Sequence, residues 1–189
     1  MMALELKHLP LSEEQFYQLC SDNGDLRLER TAEGDIIIMP PTGGETGNRN
    51  VEIVFQLQAW QKQKKLGKVF DSSTGYTLPN GAVRAPDASW IPLEKWNSLT
   101  SAQREKFLPL CPDFAIELMS PSDTLPETRK KMEEYLANGT KLGWLINPKT
   151  RQVQIYRPER ETEIVNDPRT LSGEDILPDL VFHVGEVWD

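Results

Sequence analysis

The stretch Phe114-Ala115-Ile116-Glu117-Leu118-Met119 decides the fold. This nearly continuous apolar run contains one acid, and Ser120-Pro121 ends it. Such a run is typical of a central strand that is buried on both faces. A helical pattern follows over residues 124–138, and another apolar run occupies residues 142–146. A strand, a helix and a strand in this order predict two parallel strands joined by a right-handed crossover.

The remaining sequence predicts further helices and strands. Ser12-Glu13-Glu14-Gln15 resembles a capping box that begins the first helix. A long apolar stripe predicts a second helix from about residue 51, and Gly67 is expected to end it as a left-handed cap. Runs with strand character, bounded by turn residues, lie at residues 26–30, 35–39, 68–70, 75–78, 82–84, 87–91, 152–156, 163–165 and 180–184. The first of these runs alternates apolar and charged residues, which predicts a half-exposed strand that forms a hairpin with the second.

Together these elements predict an α/β protein. We expect a mixed central β-sheet flanked by helices, with an N-terminal helix and a β-hairpin. A chain of 189 residues is long enough to bury its own core, so we expect one domain over residues 1–189.

The charge of the chain limits what it can bind. Twenty-one Lys and Arg against 29 Asp and Glu leave a net charge of -8, which argues against non-specific coating of nucleic acid or of anionic membranes. A nuclease is still allowed, because a bound divalent cation reverses the local field. No apolar run approaches the length of a membrane-spanning helix, and the N-terminus lacks the pattern of a signal peptide. We therefore expect a cytoplasmic protein with no membrane partner.

Several kinds of site are not expected. Cys20 and Cys111 fit no zinc-binding spacing, and His8 and His183 lie near opposite ends of the chain. A zinc centre and a Ser-His-Asp triad are therefore disfavoured.

Two acids stand out as candidates for chemistry. Glu117 interrupts the buried strand, where an unpaired carboxylate is costly, and Asp87 opens the strand at residues 87–91 directly after Pro86. Carboxylates at the ends of neighbouring strands can hold a divalent cation on a rigid frame. The alternative at this point is that Glu117 faces water at a sheet edge and that Pro86-Asp87 is only a turn.

A lysine on the following helix is the third candidate. Lys131 lies on the flank of the apolar stripe and can reach back over the end of the sheet, whereas Lys130 should face solvent. The alternative is a surface lysine paired with Glu127 or Glu134.

Taken together, these residues resemble the PD-(D/E)XK nuclease superfamily and, within it, the bacterial putative restriction endonuclease family. The motifs that carry the resemblance span about residues 12–185 and are Met39–Asn50, Arg84–Trp90, Pro112–Pro121, Lys131–Tyr135 with Gly139, and Trp144–Pro148. The resemblance implies a restriction-endonuclease-like core in which Asp87 and Glu117 bind the metal. The superfamily pattern places a lysine two residues after the second acid, but Met119 stands there. The family is thought to supply this lysine from the following helix, which points to Lys131, and Glu45 could add a carboxylate.

The resemblance also implies the activity. The implied activity is hydrolysis of phosphodiester bonds of DNA by an endonuclease. Asp87 and Glu117 would hold Mg²⁺ or Mn²⁺, and Lys131 would orient water or stabilise negative charge. A homodimer would supply the two active sites that cutting two strands requires. The competing hypothesis is a catalytically inactive nuclease-like fold that acts as an interaction module for protein or nucleic acid. A two-carboxylate glycosidase fits less well, because no aromatic sugar platform is apparent near the acids.

Basic residues that could contact a phosphate backbone are clustered in a few stretches of the sequence rather than spread along it. They are Arg49, Lys62, Lys64, Lys65, Lys68, Arg84, Arg129, Lys130 and Lys131. The alternative for Lys62, Lys64 and Lys65 is that they complement the dipole at the end of the second helix.

Overall fold

The computed structural model describes residues 4–7 and 9–188, so the prediction that involved His8 lies outside the described residues. The helices are α1 (Glu13–Asp22), α2 (Gly44–Lys64), α3 (Leu93–Ser98), α4 (Ser101–Arg104), α5 (Leu125–Ala137) and α6 (Gly185–Trp188). The strands are β1 (Leu4–Leu6), β2 (Arg27–Arg30), β3 (Ile36–Met39), β4 (Gly67–Asp71), β5 (Tyr76–Thr77), β6 (Val83–Arg84), β7 (Ala88–Pro92), β8 (Phe114–Leu118), β9 (Leu142–Asn147), β10 (Gln152–Tyr156), β11 (Glu163–Asn166), β12 (Leu171–Ser172) and β13 (Val181–Phe182).

A six-stranded mixed sheet forms the centre of the protein, in the order β11-β10-β9-β8-β7-β4. Strands β8 and β9 are parallel, with Glu117 opposite Leu145, and α5 makes the connection between them. The other neighbours in this sheet are antiparallel. The predicted mixed sheet flanked by helices is therefore confirmed, as is its parallel strand pair.

The predicted N-terminal hairpin, β2 and β3, belongs to a second sheet with the order β1-β3-β2-β6-β5. Helix α1 packs against this sheet through Phe16, which forms a small core with Ile36 and Val83. The prediction that β2 is half-exposed was wrong for two of its three charged residues, since Glu29 is only 2% exposed and Arg30 is also buried, whereas Arg27 is half-buried. The cause is tertiary, because β2 lies between β3 and β6, Glu29 is covered by Arg84 and Lys131, and Arg30 lies over the Phe16 ring on the other face.

Helix α2 begins earlier and ends differently than predicted. It starts at Gly44, after Gly43 in an extended conformation, and its left-handed cap is Lys65 with φ 56°. Gly67 instead begins β4. A Cβ at this position would lie 2.1 Å from the carbonyl oxygen of Ile91, so glycine is needed for close approach of backbones rather than for a left-handed turn.

The central sheet is covered on both faces. Helix α2 contributes Ile53, Leu57 and Trp60 to one face, and the C-terminal segment from Leu171 to Trp188 packs into the same cluster. Met132 and Tyr135 of α5 pack on the other face. Within the described part of the chain, no helix combines the length and the apolar character needed to cross a membrane.

Candidate active site

Asp87 and Glu117 meet at the edge where β7 and β8 run side by side. Ala88 pairs with Ile116, so Asp87, one residue before β7, faces Glu117 across the two strands. The Asp87 carboxylate is held in place because its Oδ2 accepts the backbone N–H of Leu118 at 2.8 Å. Glu117 is buried. Glu117 is therefore neither an edge residue facing water nor isolated from the other acid.

Helix α5 brings Lys131 to the same place. Lys131 and Tyr135 are one helical turn apart and share a face, and both reach Oε1 of Glu117, the ammonium at 2.9 Å and the phenol at 2.9 Å. Lys130 is exposed, as expected. Glu134 binds Arg84 instead of Lys131. The structure therefore brings all three predicted site residues together.

A fourth residue, Glu29 of β2, was missed by the sequence reasoning. Its Oε1 lies 2.8 Å from the Lys131 ammonium and also accepts the N–H of Ala85 at 3.0 Å, while its Oε2 lies 3.2 Å from Arg84. Lys131 is thus shared between two carboxylates. The sequence around Glu29 did not indicate a site residue. Apolar and charged residues alternate there, and in such a strand the charged side chains normally face water.

The electrostatics of the site follow from burial and from the packing of three acids around one lysine. Burial raises the pKa of Glu117 to about 7, with further contributions from Asp87 and Glu29 and opposition from Lys131. Burial also raises the pKa of Asp87, although the Leu118 N–H and Lys131 work against it. Burial alone would raise the pKa of Glu29 as well, but Lys131 and Arg84 lower it below its ordinary value. Glu29 is therefore the ionised partner of Lys131. The pKa of Glu117 lies near neutral pH, so this carboxyl titrates there.

An amide from α2 completes the surroundings of Asp87. Asn50 donates through Nδ2 to Asp87 Oδ1 at 3.3 Å, and its own Oδ1 is buried without a hydrogen-bond partner in the described residues. A buried oxygen without a partner, on a side chain that contacts the Asp87 carboxylate, fits a hard divalent cation, which prefers oxygen ligands. Among the described residues, no three His, Cys, Asp or Glu side chains are grouped to hold a metal ion. A cation at Asp87 and Glu117 therefore needs further oxygens, and Asn50 offers one.

Other predicted residues lie elsewhere. The Glu45 side chain is 86% exposed and pairs with Arg49, so α2 contacts Asp87 through Asn50 rather than through this acid. Met119, at the position of the superfamily lysine, packs against the hydrophobic cluster beneath α5.

Some of the predicted phosphate-facing residues are held by other groups of the protein, whereas Lys62 lies at the surface. Arg84 is buried between Glu29 and Glu134 and is not free to meet a phosphate. Arg49 donates to the carbonyl of Val187. Lys62 lines a surface groove that leads to Asp87. The burial of Arg84 corrects the prediction that it faces DNA, because the buried Glu29 and the partly buried Glu134 hold its guanidinium inside the protein.

The comparisons with known proteins agree with this architecture. The crystal structure of a putative nuclease belonging to DUF820 from Anabaena variabilis ATCC 29413 is similar to this chain with a TM-score of 0.79 and 23% identity, over 95% of this chain and 98% of that chain. This likeness shows the fold. No curated protein matches the chain. The family model described as putative restriction endonuclease, Uma2, matches residues 13–185. The chain therefore belongs to the putative restriction endonuclease family.

Proposed function

We propose that the protein is an endonuclease that uses a divalent cation to hydrolyse phosphodiester bonds in DNA. The observation that carries this proposal is the meeting of Asp87, Glu117 and Lys131, with the Lys131 ammonium 2.9 Å from a Glu117 oxygen. Family membership and the nuclease named among the similar structures support it. The cytoplasm is the proposed location, and a homodimer is the proposed assembly.

Asp87, Glu117 and the Asn50 Oδ1 atom are the groups that would hold Mg²⁺ or Mn²⁺. When bound, such a cation supplies Lewis-acid polarisation of the phosphate and lowers the pKa of a coordinated water. Asp87 is fixed for this role by the Leu118 N–H. Glu117 must be ionised to bind a cation, and its pKa of about 7 means that we expect this binding to weaken as pH falls below neutral.

Lys131 would act on the phosphate or on the attacking water. Hydrolysis joins a water oxygen to phosphorus while the bond from phosphorus to one sugar oxygen breaks; the water loses a proton and the departing oxygen gains one. The ammonium can stabilise the negative charge that develops on the phosphoryl oxygens. Because Glu29 also holds Lys131, the ammonium would stay at the site if Glu117 bound a metal ion.

Nicking of supercoiled plasmid DNA tests the proposal. In Mg²⁺ or Mn²⁺, we expect Asp87→Asn and Glu117→Gln each to lower the cleavage rate by about 100-fold or more, because each removes a charged oxygen ligand. Glu45→Gln is the matched control, since this acid is exposed and its ion-pair partner among the described residues is Arg49. Cleavage that survives both substitutions and EDTA would come from a contaminating nuclease and would contradict the proposal.

The competing hypothesis, an inactive interaction module, is favoured by the net charge of -8. Thermal unfolding with millimolar Mg²⁺ or Mn²⁺ separates the two. A cation that binds only the folded protein raises its stability, by about 2.7 kcal/mol at a hundredfold excess over Kd. A melting temperature that rises in wild type but not in Asp87→Asn supports the nuclease, and no rise in wild type supports the module.

A further inference from the structure

A groove on the surface of the protein runs along α2, and its lining includes Asp87. It encloses about 630 Å³. Its α2 side consists of residues on successive turns, from Gly47 through Val51, Phe55 and Gln58 to Lys62. At 1.5 Å per residue, these fifteen steps extend over roughly 22 Å. The groove is therefore long enough to follow a polymer rather than to enclose only the reacting group.

The middle of this groove is apolar and open to solvent. Val51 is 69% exposed and Phe55 is 63% exposed, although both belong to a helix that already buries Ile53 and Leu57 in the core. Folding within the chain leaves these two side chains uncovered. An exposed aromatic face beside an aliphatic one is a surface on which a flat ring can stack.

Two cations flank the apolar part of the groove. Lys62 lies toward its far end and has no ion-pair partner within residues 4–7 and 9–188. Arg27 lies on the opposite wall, where its guanidinium donates to the carbonyl oxygen of Ser72 at 2.8 Å. Asp71 is the acid in the lining besides Asp87. Two cations, balanced by two acids, thus border a stacking surface whose lining includes the proposed metal ligand Asp87.

We infer that this groove holds an unpaired strand of nucleic acid. Its bases stack on Phe55 and Val51, its phosphates face Lys62 and Arg27, and its path leads the scissile phosphate to Asp87. An aromatic platform beside cations is how proteins bind single strands, whereas a duplex offers no free base face. Two flanking cations and a net charge of -8 do not provide the broad basic surface that tight duplex binding uses. The inference rests on the proposed function and names its substrate class as single-stranded or locally unpaired DNA.

Fluorescence anisotropy tests the inference without cleavage. Labelled oligo(dT), an RNA strand of the same length and a matched duplex are titrated with protein in Ca²⁺ in place of Mg²⁺. We expect the single strands to bind more tightly than the duplex, and Phe55→Ala to weaken single-strand binding by about tenfold. Phe55→Trp should retain binding. Ile164→Ala is the control, because Ile164 is a half-exposed apolar residue on β11, outside the groove.

Different results separate this inference from the proposed function. Equal affinity for duplex and single strands, with no effect of Phe55→Ala, overturns the groove assignment even if the protein cleaves duplex DNA. Loss of a dimer in Phe55→Ala by light scattering, with single-strand affinity unchanged, overturns it in favour of a contact between two copies. Tight single-strand binding that depends on Phe55, without cleavage in Mg²⁺ or Mn²⁺, supports the groove and contradicts the nuclease. Preference for the RNA strand would overturn DNA as the substrate.

Discussion

Lys131 is held between Glu29 and Glu117 at 2.8 and 2.9 Å, and this sharing is the central contact of the site. An ammonium in these surroundings is stable only with an ionised partner. Burial works against its charge, but Glu117 and Glu29 raise the pKa of Lys131 above its ordinary value. Glu29 comes from the second sheet, so the N-terminal hairpin contributes directly to the site.

We expect Glu29→Gln to lower kcat/KM for DNA cleavage by about 10- to 100-fold, because the lysine then loses the acid that positions it. Steady-state cleavage in Mg²⁺ measures the effect. Glu133→Gln, an exposed acid on α5, is the control. The stabilisation by Mg²⁺ should remain, since Glu29 is not a proposed ligand. Unchanged cleavage in Glu29→Gln would show that Glu117 alone is enough to position Lys131.

Glu117 links stability to pH. Its pKa is raised from 4.5 to about 7, so between these values the folded state keeps a proton that the unfolded state has released. The contribution of Glu117 to the free energy of unfolding is therefore full below about pH 4.5 and is lost as pH rises toward about 7. In EDTA, we expect the stability of Glu117→Gln relative to wild type to increase across this window and then to level off. Urea unfolding at several pH values measures this difference, and a constant difference would contradict the shift.

At the scale of elements, β4 and β7 depend on the absence of a side chain at Gly67. A Cβ there would lie 2.1 Å from the Ile91 carbonyl and 2.3 Å from the Trp90 indole nitrogen, both of which belong to the neighbouring strand. We expect Gly67→Ala to lower the free energy of unfolding by about 1–3 kcal/mol through overpacking. Gly44→Ala, where a Cβ meets nothing within 4 Å, should be neutral or slightly stabilising. Equal effects of the two substitutions in urea unfolding would contradict this account.

At the scale of the whole molecule, the C-terminal segment from Leu171 to Trp188 packs against one face of the central sheet and forms part of its hydrophobic core. Phe182 is fully buried and its ring packs at a tilt against Trp144 of the central sheet, with a centroid distance of 5.3 Å. We expect Phe182→Ala to cost about 3–5 kcal/mol in the free energy of unfolding. Its neighbour Val181 is 59% exposed, so Val181→Ala should change stability by less than about 1 kcal/mol. Chemical denaturation of the two variants tests this, and similar losses would show that the segment is not part of the core.

Much of the central sheet could be predicted from the sequence alone. The apolar run at residues 114–119, the following helix and the run at residues 142–146 specify a parallel pair, because their periodicity and order depend only on local chemistry and chain connectivity. The same logic singled out Asp87 and Glu117, since an acid in or beside a buried strand needs a partner. The helical position of Lys131 then pointed it toward them.

Only the tertiary structure decided what lies around these residues. Glu29 and Asn50 belong to elements far from Glu117 in sequence, and no local pattern shows that β2 and α2 pack against the same edge. The reason for Gly67 likewise appeared only with β7 in place, because its constraint is a neighbouring strand and not its own backbone angle. Periodicity reports which side of a strand or helix is apolar, whereas long-range packing determines which polar side chains end up buried together. The sequence therefore determined the central strand pair and pointed to two acids and a lysine, and the packing of distant elements decided their partners.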